Sequence, residues 1–166
     1  MPVPNEVELD ERAVSSQLEV KETKKVLAVF VKQAVGPNAK LRYGGVRITA
    51  RQKDMLTQHA KTTGNNFANY IASVDGSRYE DAHPRHQTKL ANRYGGLINE
   101  PSANEQANML LVAEERNGRL ELFYMTVDEI PAGTELMACY GNGYSRNYTT
   151  GSPALVPRWL AQGLTC

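Results

Sequence analysis

The side chains most often recruited for chemistry are sparse in this chain. Two cysteines, Cys139 and Cys166, and three histidines, His59, His83 and His86, are the full complement of both types. Two thiols are too few for a zinc cluster built from several cysteines, or for the disulfide frameworks of small secreted domains. That usage points to a reducing compartment. His83 and His86 flank Pro84 in a polar stretch, and no metal-ligand spacing links the three histidines, so no metal site is expected. The other groups with chemical capacity are Tyr-Gly pairs at 43–44 and 140–141, Asn99 in a polar loop, and the single tryptophan, Trp159. Such groups orient, stack and hydrogen-bond.

The elements that must position them lie in a chain of 166 residues, enough for one domain with its own core. A net charge of +1 gives no field strong enough to draw the molecule to nucleic acid or to a membrane. No apolar run approaches a membrane span, and the acidic, polar start MPVPNEVELDER does not resemble a secretory signal. An intracellular protein is the default expectation.

Residues 1–16, with Pro2, Pro4 and several acidic residues, predict a flexible arm. QLEVKE (17–22) and VLAVFVKQAV (26–35) predict strands, the second closed by a turn at Gly36-Pro37-Asn38. KLRYGGVRITA (40–50) predicts strand broken at Gly44-Gly45. RQKDMLTQHAKT (51–62) predicts a helix capped by Thr49. FANYIASVDGSRYED (67–81) predicts two strands around Asp75-Gly76. Residues 82–108 form a long loop poor in apolar side chains, and a loop of that length inside a compact domain is usually functional or disordered. NMLLVAEE (108–115) and LELFYMTV (120–127) predict a hairpin on Asn117-Gly118. EIPAGTELMACYG (129–141) predicts a turn and a last strand, and PRWLAQGL (157–164) a short helix. Many short strands without βαβ alternation define a mainly β domain.

Three segments, in order and at matching spacing, resemble SET domains. VFVKQAVGPNAKLRYGGVRIT (29–49) is similar to the opening β motif that ends in Tyr-x-Gly. YGGLINEPSANEQANMLLV (94–112) resembles the Arg-Phe-x-Asn-His-Ser-Cys-x-Pro-Asn segment, with Asn99 kept. IPAGTELMACYGNGY (130–144) is similar to Ile-x-x-Gly-Glu-Glu-Leu-x-x-x-Tyr-Gly. The match covers residues 18–164 and is nearest to the single-SET histone-lysine monomethyltransferase type. The C-terminal stretch resembles the members that end in an aromatic helix instead of a zinc-binding tail.

The resemblance implies small β-clip-like twisted sheets with knot-like threading of 94–101 against 136–144. It implies a SET domain over 17–148 and a helical segment over 149–166 that completes the cofactor site. The implied activity is methyl transfer from S-adenosylmethionine to a lysine of a protein or peptide, histone tails included, which would place the protein in the nucleus. Tyr140 would sit at the junction of cofactor and lysine as catalytic residue, and Tyr43 would line the lysine channel. Asn99 would bind the cofactor's amino-acid end, the Glu100 backbone would meet the adenine, and Trp159 would stack on it. Val26, Leu27 and Ala28 occupy the place of a Gly-x-Gly turn that wraps the cofactor in the family. Read without the resemblance, Tyr140 and Tyr43 are tyrosines packed in sheets, Asn99 a loop cap, and Trp159 a core residue of a terminal helix.

Two departures stand out. The Gly-x-Gly is missing at 26–28, and Asn99-Glu100-Pro101 replaces Asn-His-Ser, so that Pro101 lacks an amide donor. These departures support an alternative function, a SET-fold module that binds a peptide or partner with little or no turnover.

Overall fold

The longest strands form where apolar residues flank an Asn-Gly pair. A computed structural model describes residues 6–24, 26–64, 67–75, 77–83, 94–140 and 149–154. In it β8 (Met109–Arg116) and β9 (Arg119–Thr126) pair antiparallel from Met109↔Thr126 to Arg116↔Arg119. Asn117 and Gly118 join them with φ of 52° and 75°. Two consecutive left-handed residues match the twist of the strands they connect.

This hairpin is half of a four-stranded sheet in the order β1 (Val7–Glu8), β4 (Ala39–Arg42), β9, β8. β4 pairs antiparallel with β9, and the two-residue β1 lies parallel to β4. The expected turn at 36–38 is held by Thr126. Its hydroxyl donates to the Gly36 carbonyl at 2.8 Å and accepts the Ala39 amide at 2.9 Å.

β2 (Leu18–Thr23) and β3 (Val26–Val31) form a separate antiparallel pair. The third sheet has the order β5-β7-β6, from Val46–Thr49, Arg78–Asp81 and Ile71–Ser73. The predicted break at Gly44-Gly45 therefore sends β4 and β5 to different sheets. Gly44 has a φ of 73°, left-handed backbone that a residue with a Cβ adopts only at a cost. Among the described residues the architecture is mainly β, with two α-helices, α1 (Glu11–Gln17) and α2 (Ala50–Thr63).

α2 starts as the sequence predicts. The Thr49 hydroxyl accepts the Gln52 amide at 3.2 Å, and the Gln52 side chain accepts the Thr49 amide at 2.8 Å. That reciprocal pair satisfies two of the orphan donors of the first turn. Left-handed Gly64 ends the helix.

The flexible arm expected over residues 1–16 is corrected for 6–16. Asp10 caps α1 by accepting the Ala13 amide at 2.8 Å, Val14 is fully buried, and Leu9 is nearly so. The acidic side chains that suggested a solvated arm find cations on the sheet. Glu6 pairs with Lys40, and Glu8 with Arg116 at 2.7 Å. The last strand expected after the turn at 131–133 is also corrected. The 129–141 stretch makes isolated bridges, Val35↔Ile130, Phe30↔Glu135, Asn99↔Met137 and Met109↔Ala138. The predicted C-terminal helix at 157–164 lies outside the described residues.

One core gathers all three sheets. It runs from Val14 and Leu18 through Val29, Val31 and Leu41 to Tyr124, Leu136 and Ala138.

Candidate functional site

The segments 97–101 and 135–140 lie side by side. Asn99 pairs parallel with Met137, and the Ala138 amide donates to the Asn99 carbonyl at 3.0 Å. Asn108 acts as a clamp on the same stretch. Its side chain accepts the Met137 amide at 2.9 Å and donates to the Glu135 carbonyl at 2.8 Å, while its own amide donates to the Met137 carbonyl at 3.0 Å. A side-chain amide that pairs like a peptide group lets an irregular segment satisfy its backbone away from a regular ladder.

Tyr140 closes this contact. Its amide donates to the Glu100 carboxylate at 2.7 Å, and its hydroxyl donates to the Ile98 carbonyl. Tyr43 is almost fully buried. Its hydroxyl donates to the Tyr70 carbonyl at 2.8 Å, and its ring lies 5.7 Å from that of Tyr124. Gly95 packs on the Tyr43 backbone so closely that a Cβ there would sit 2.9 Å from the Tyr43 carbonyl oxygen. The 94–98 segment thus touches Tyr43 at one end and Tyr140 at the other.

Asn99 reaches the other flank. Its side-chain amide donates to the Leu27 carbonyl at 2.9 Å and also hydrogen-bonds the Glu135 carboxylate. Burial pushes the Glu135 carboxyl up, the Asn99 bond works against that rise, and the charge of Glu105 adds to it. Val26 and Leu27 are exposed at 53% and 46%, a bare apolar surface beside this polar pair, whereas Ala28 is buried.

Of the residues singled out from sequence, Val26, Leu27, Asn99, Glu100 and Tyr140 fall into one connected region, with Tyr43 joined to it through Gly95. Trp159 lies outside the described residues. Val26, Leu27 and Ala28, set against a wrapping turn in the resemblance, are strand instead. They pair with Thr23, Glu22 and Lys21, and the chain reverses before them at Lys24, with φ 45°. Sequence reasoning missed Asn108 and Glu135 as parts of the site. Glu135 stands inside the GTEL motif already quoted, and Asn108 ends the polar loop where β8 begins. Tyr70 is half-buried, packs edge-on against His83 at 4.8 Å and anchors the Tyr43 hydroxyl through its carbonyl.

Cys139, next to Tyr140, is disulfide-bonded, and no free thiol occurs among the described residues. This corrects the reading of reduced cysteines. A count of two excludes a framework of several bridges but leaves a single bridge open. No group of three His, Cys, Asp or Glu among the described residues is placed to hold a metal ion, and no described helix is long and apolar enough to cross a membrane.

The chain matches no protein-family model and no curated protein sequence.

Proposed function

We propose that this chain is a SET-type protein-lysine methyltransferase that takes its methyl group from S-adenosylmethionine. The observation that carries the reading is the pairing of Asn99 with Met137–Ala138, with Tyr140 anchored on Ile98 and Glu100. Two motifs that resemble the family's Asn and Tyr segments are far apart in sequence and adjacent in space.

The residues present fit the cofactor chemically. An amino-acid end carries an ammonium that needs acceptors, and Asn99 and Glu135 supply them. An adenosyl group needs apolar surface, which Val26 and Leu27 expose. Glu100 and Trp159 would complete the adenine contact. When bound, the sulfonium supplies an electrophilic methyl group and a nearby positive charge.

The residues then have distinct tasks. A lysine amine has a pKa of about 10.4 and must lose its proton to react, so its surroundings must favour the neutral form. Tyr43, buried and tied by its hydroxyl to Tyr70, offers a rigid desolvated wall that limits the width of a lysine channel. The Tyr140 hydroxyl donates to Ile98, which fixes its oxygen and leaves lone pairs to orient an amine or hold a polarised methyl by weak C–H···O contact. Most of the acceleration would be positional. Histone tails are the substrate class the resemblance suggests.

A peptide- or partner-binding module without turnover is the second reading. It is favoured by the strand at Val26–Ala28, where glycine would let backbone wrap the cofactor closely.

Tyr140→Phe decides between the two. It keeps the ring and removes one hydroxyl, so methylation of a lysine peptide by the variant should fall by about tenfold or more with little change in cofactor affinity. Wild-type turnover retained by the variant would make Tyr140 structural only, and absence of turnover in wild type would favour the binding module.

A further inference from the structure

A cleft of about 150 Å³ opens where the four-stranded sheet meets the β5-β7-β6 sheet. Three arginines, Arg42, Arg47 and Arg119, and two glutamates, Glu80 and Glu121, line it together with Gly44-Gly45. None of the tasks assigned above uses it.

Its charges do not cancel. Arg42 pairs with Glu121 at 3.1 Å. Arg47 stands 3.6 Å from Glu80, outside hydrogen-bond reach, and donates one guanidinium N–H to the Leu120 carbonyl. The Arg47 Nε is buried without an acceptor. Arg119 shares Glu80 with Arg47, since the charges of both arginines act on that one carboxylate. Glu80 is turned inward, where the Gly45 and Leu122 backbone hydrogen-bonds its carboxylate, and burial pushes its pKa up. The floor is bare by construction. A Cβ at Gly45 would lie 2.5 Å from the Glu80 Cβ, and Gly44 holds left-handed backbone.

We propose that this cleft binds a small oxyanion, a carboxylate or phosphate group, through Arg47 and Arg119 with Arg42 at its edge. A guanidinium fork matches the paired oxygens of either group. Three guanidinium groups face two carboxylates, so the lining keeps an excess positive charge. An anion that draws the Arg47 guanidinium toward the cleft gives its buried Nε the acceptor it lacks. This site stands apart from the methyltransferase reading and does not depend on it.

The test is an amide NMR titration of the full chain with inorganic phosphate and, separately, with acetate. Saturable shifts are expected at Gly44, Gly45 and residues 119–122 with at least one of the two. Tighter phosphate binding assigns a phosphate ligand, and tighter acetate binding a carboxylate. Arg119→Gln, at an exposed position, should weaken that binding by about tenfold. Arg78→Gln, which removes an arginine committed to Asp75, should leave it unchanged. Shifts that do not saturate, shifts spread over other basic surface, or equal weakening by the two substitutions would overturn the proposal.

Discussion

Asn99 shows how much one side chain does here. Its amide nitrogen bonds the Leu27 carbonyl and the Glu135 carboxylate, while its backbone carbonyl accepts from Ala138. One residue therefore ties β3 to the 135–138 stretch. Asp75 works on a similar local scale. It accepts from the amides and side chains of Ser77 and Arg78, which hold its carboxyl well below the usual range. Its folded value lies below the unfolded value of about 3.9. The stability it adds is therefore complete above that value and lost as pH falls through the depressed one. Asp75→Asn should lower the melting temperature at neutral pH, and the gap to wild type should narrow in acid. A gap of constant size down to strongly acid pH would contradict this. At this scale the sequence was legible where identity and motif coincide. Tyr43, Tyr140 and Asn99 stand in the three motifs and are joined in the fold through the 94–99 segment. Asn108 was not legible, because an asparagine at the end of a loop carries no signal until the segment it clamps is known.

Among the elements, those governed by local chemistry were the most legible. The Thr49 cap, the Asn117-Gly118 hairpin and the split strands around Asp75 follow from side chains within a few residues of one another. The 129–141 stretch reads as a turn followed by a strand, and its apolar residues Ile130, Leu136 and Ala138 are buried. The turn falls at Pro131 and the left-handed Gly133, with φ 88°, but no regular strand follows, because the bridges of this stretch go to residues 30–35, to Asn99 and to Met109. Asn108 compensates for the missing ladder. Asn108→Ala removes two side-chain hydrogen bonds and leaves the Met137 amide unpartnered, so stability should fall by about 1–3 kcal/mol in denaturant unfolding. A change near zero would show that the stretch is held by apolar burial alone.

The whole molecule depends on pairings that composition does not encode. β1 joins β4, and β4 joins β9 through residues more than eighty positions apart along the chain. The acidic N-terminal residues looked solvated because their partners, Lys40 and Arg116, are distant in sequence. Lys40 is itself nearly buried, lies over the Phe123 ring at 4.8 Å and has Glu6 and Glu114 as carboxylate partners. Burial alone would push its pKa down, but the hydrogen bonds and charges of Glu114 and Glu6 win and raise it. If residues 6–16 belong to the core, Val14→Ala should cost about 1–3 kcal/mol of global stability. A freely moving arm would show no effect in the same thermal melt. The single disulfide at Cys139 escaped the sequence for a related reason, since counting thiols does not reveal which positions the fold brings together.

The central claim is that Asn99, Glu135, Val26 and Leu27 form a place for S-adenosylmethionine beside Tyr140. Calorimetric titration of the full chain with that ligand tests it most directly, in wild type and in Asn99→Ala. The account predicts saturable binding at one site in wild type, weakened in the variant by about 1–3 kcal/mol as the acceptor is lost. No binding heat from wild type at millimolar ligand, or equal affinity in both proteins, would contradict it.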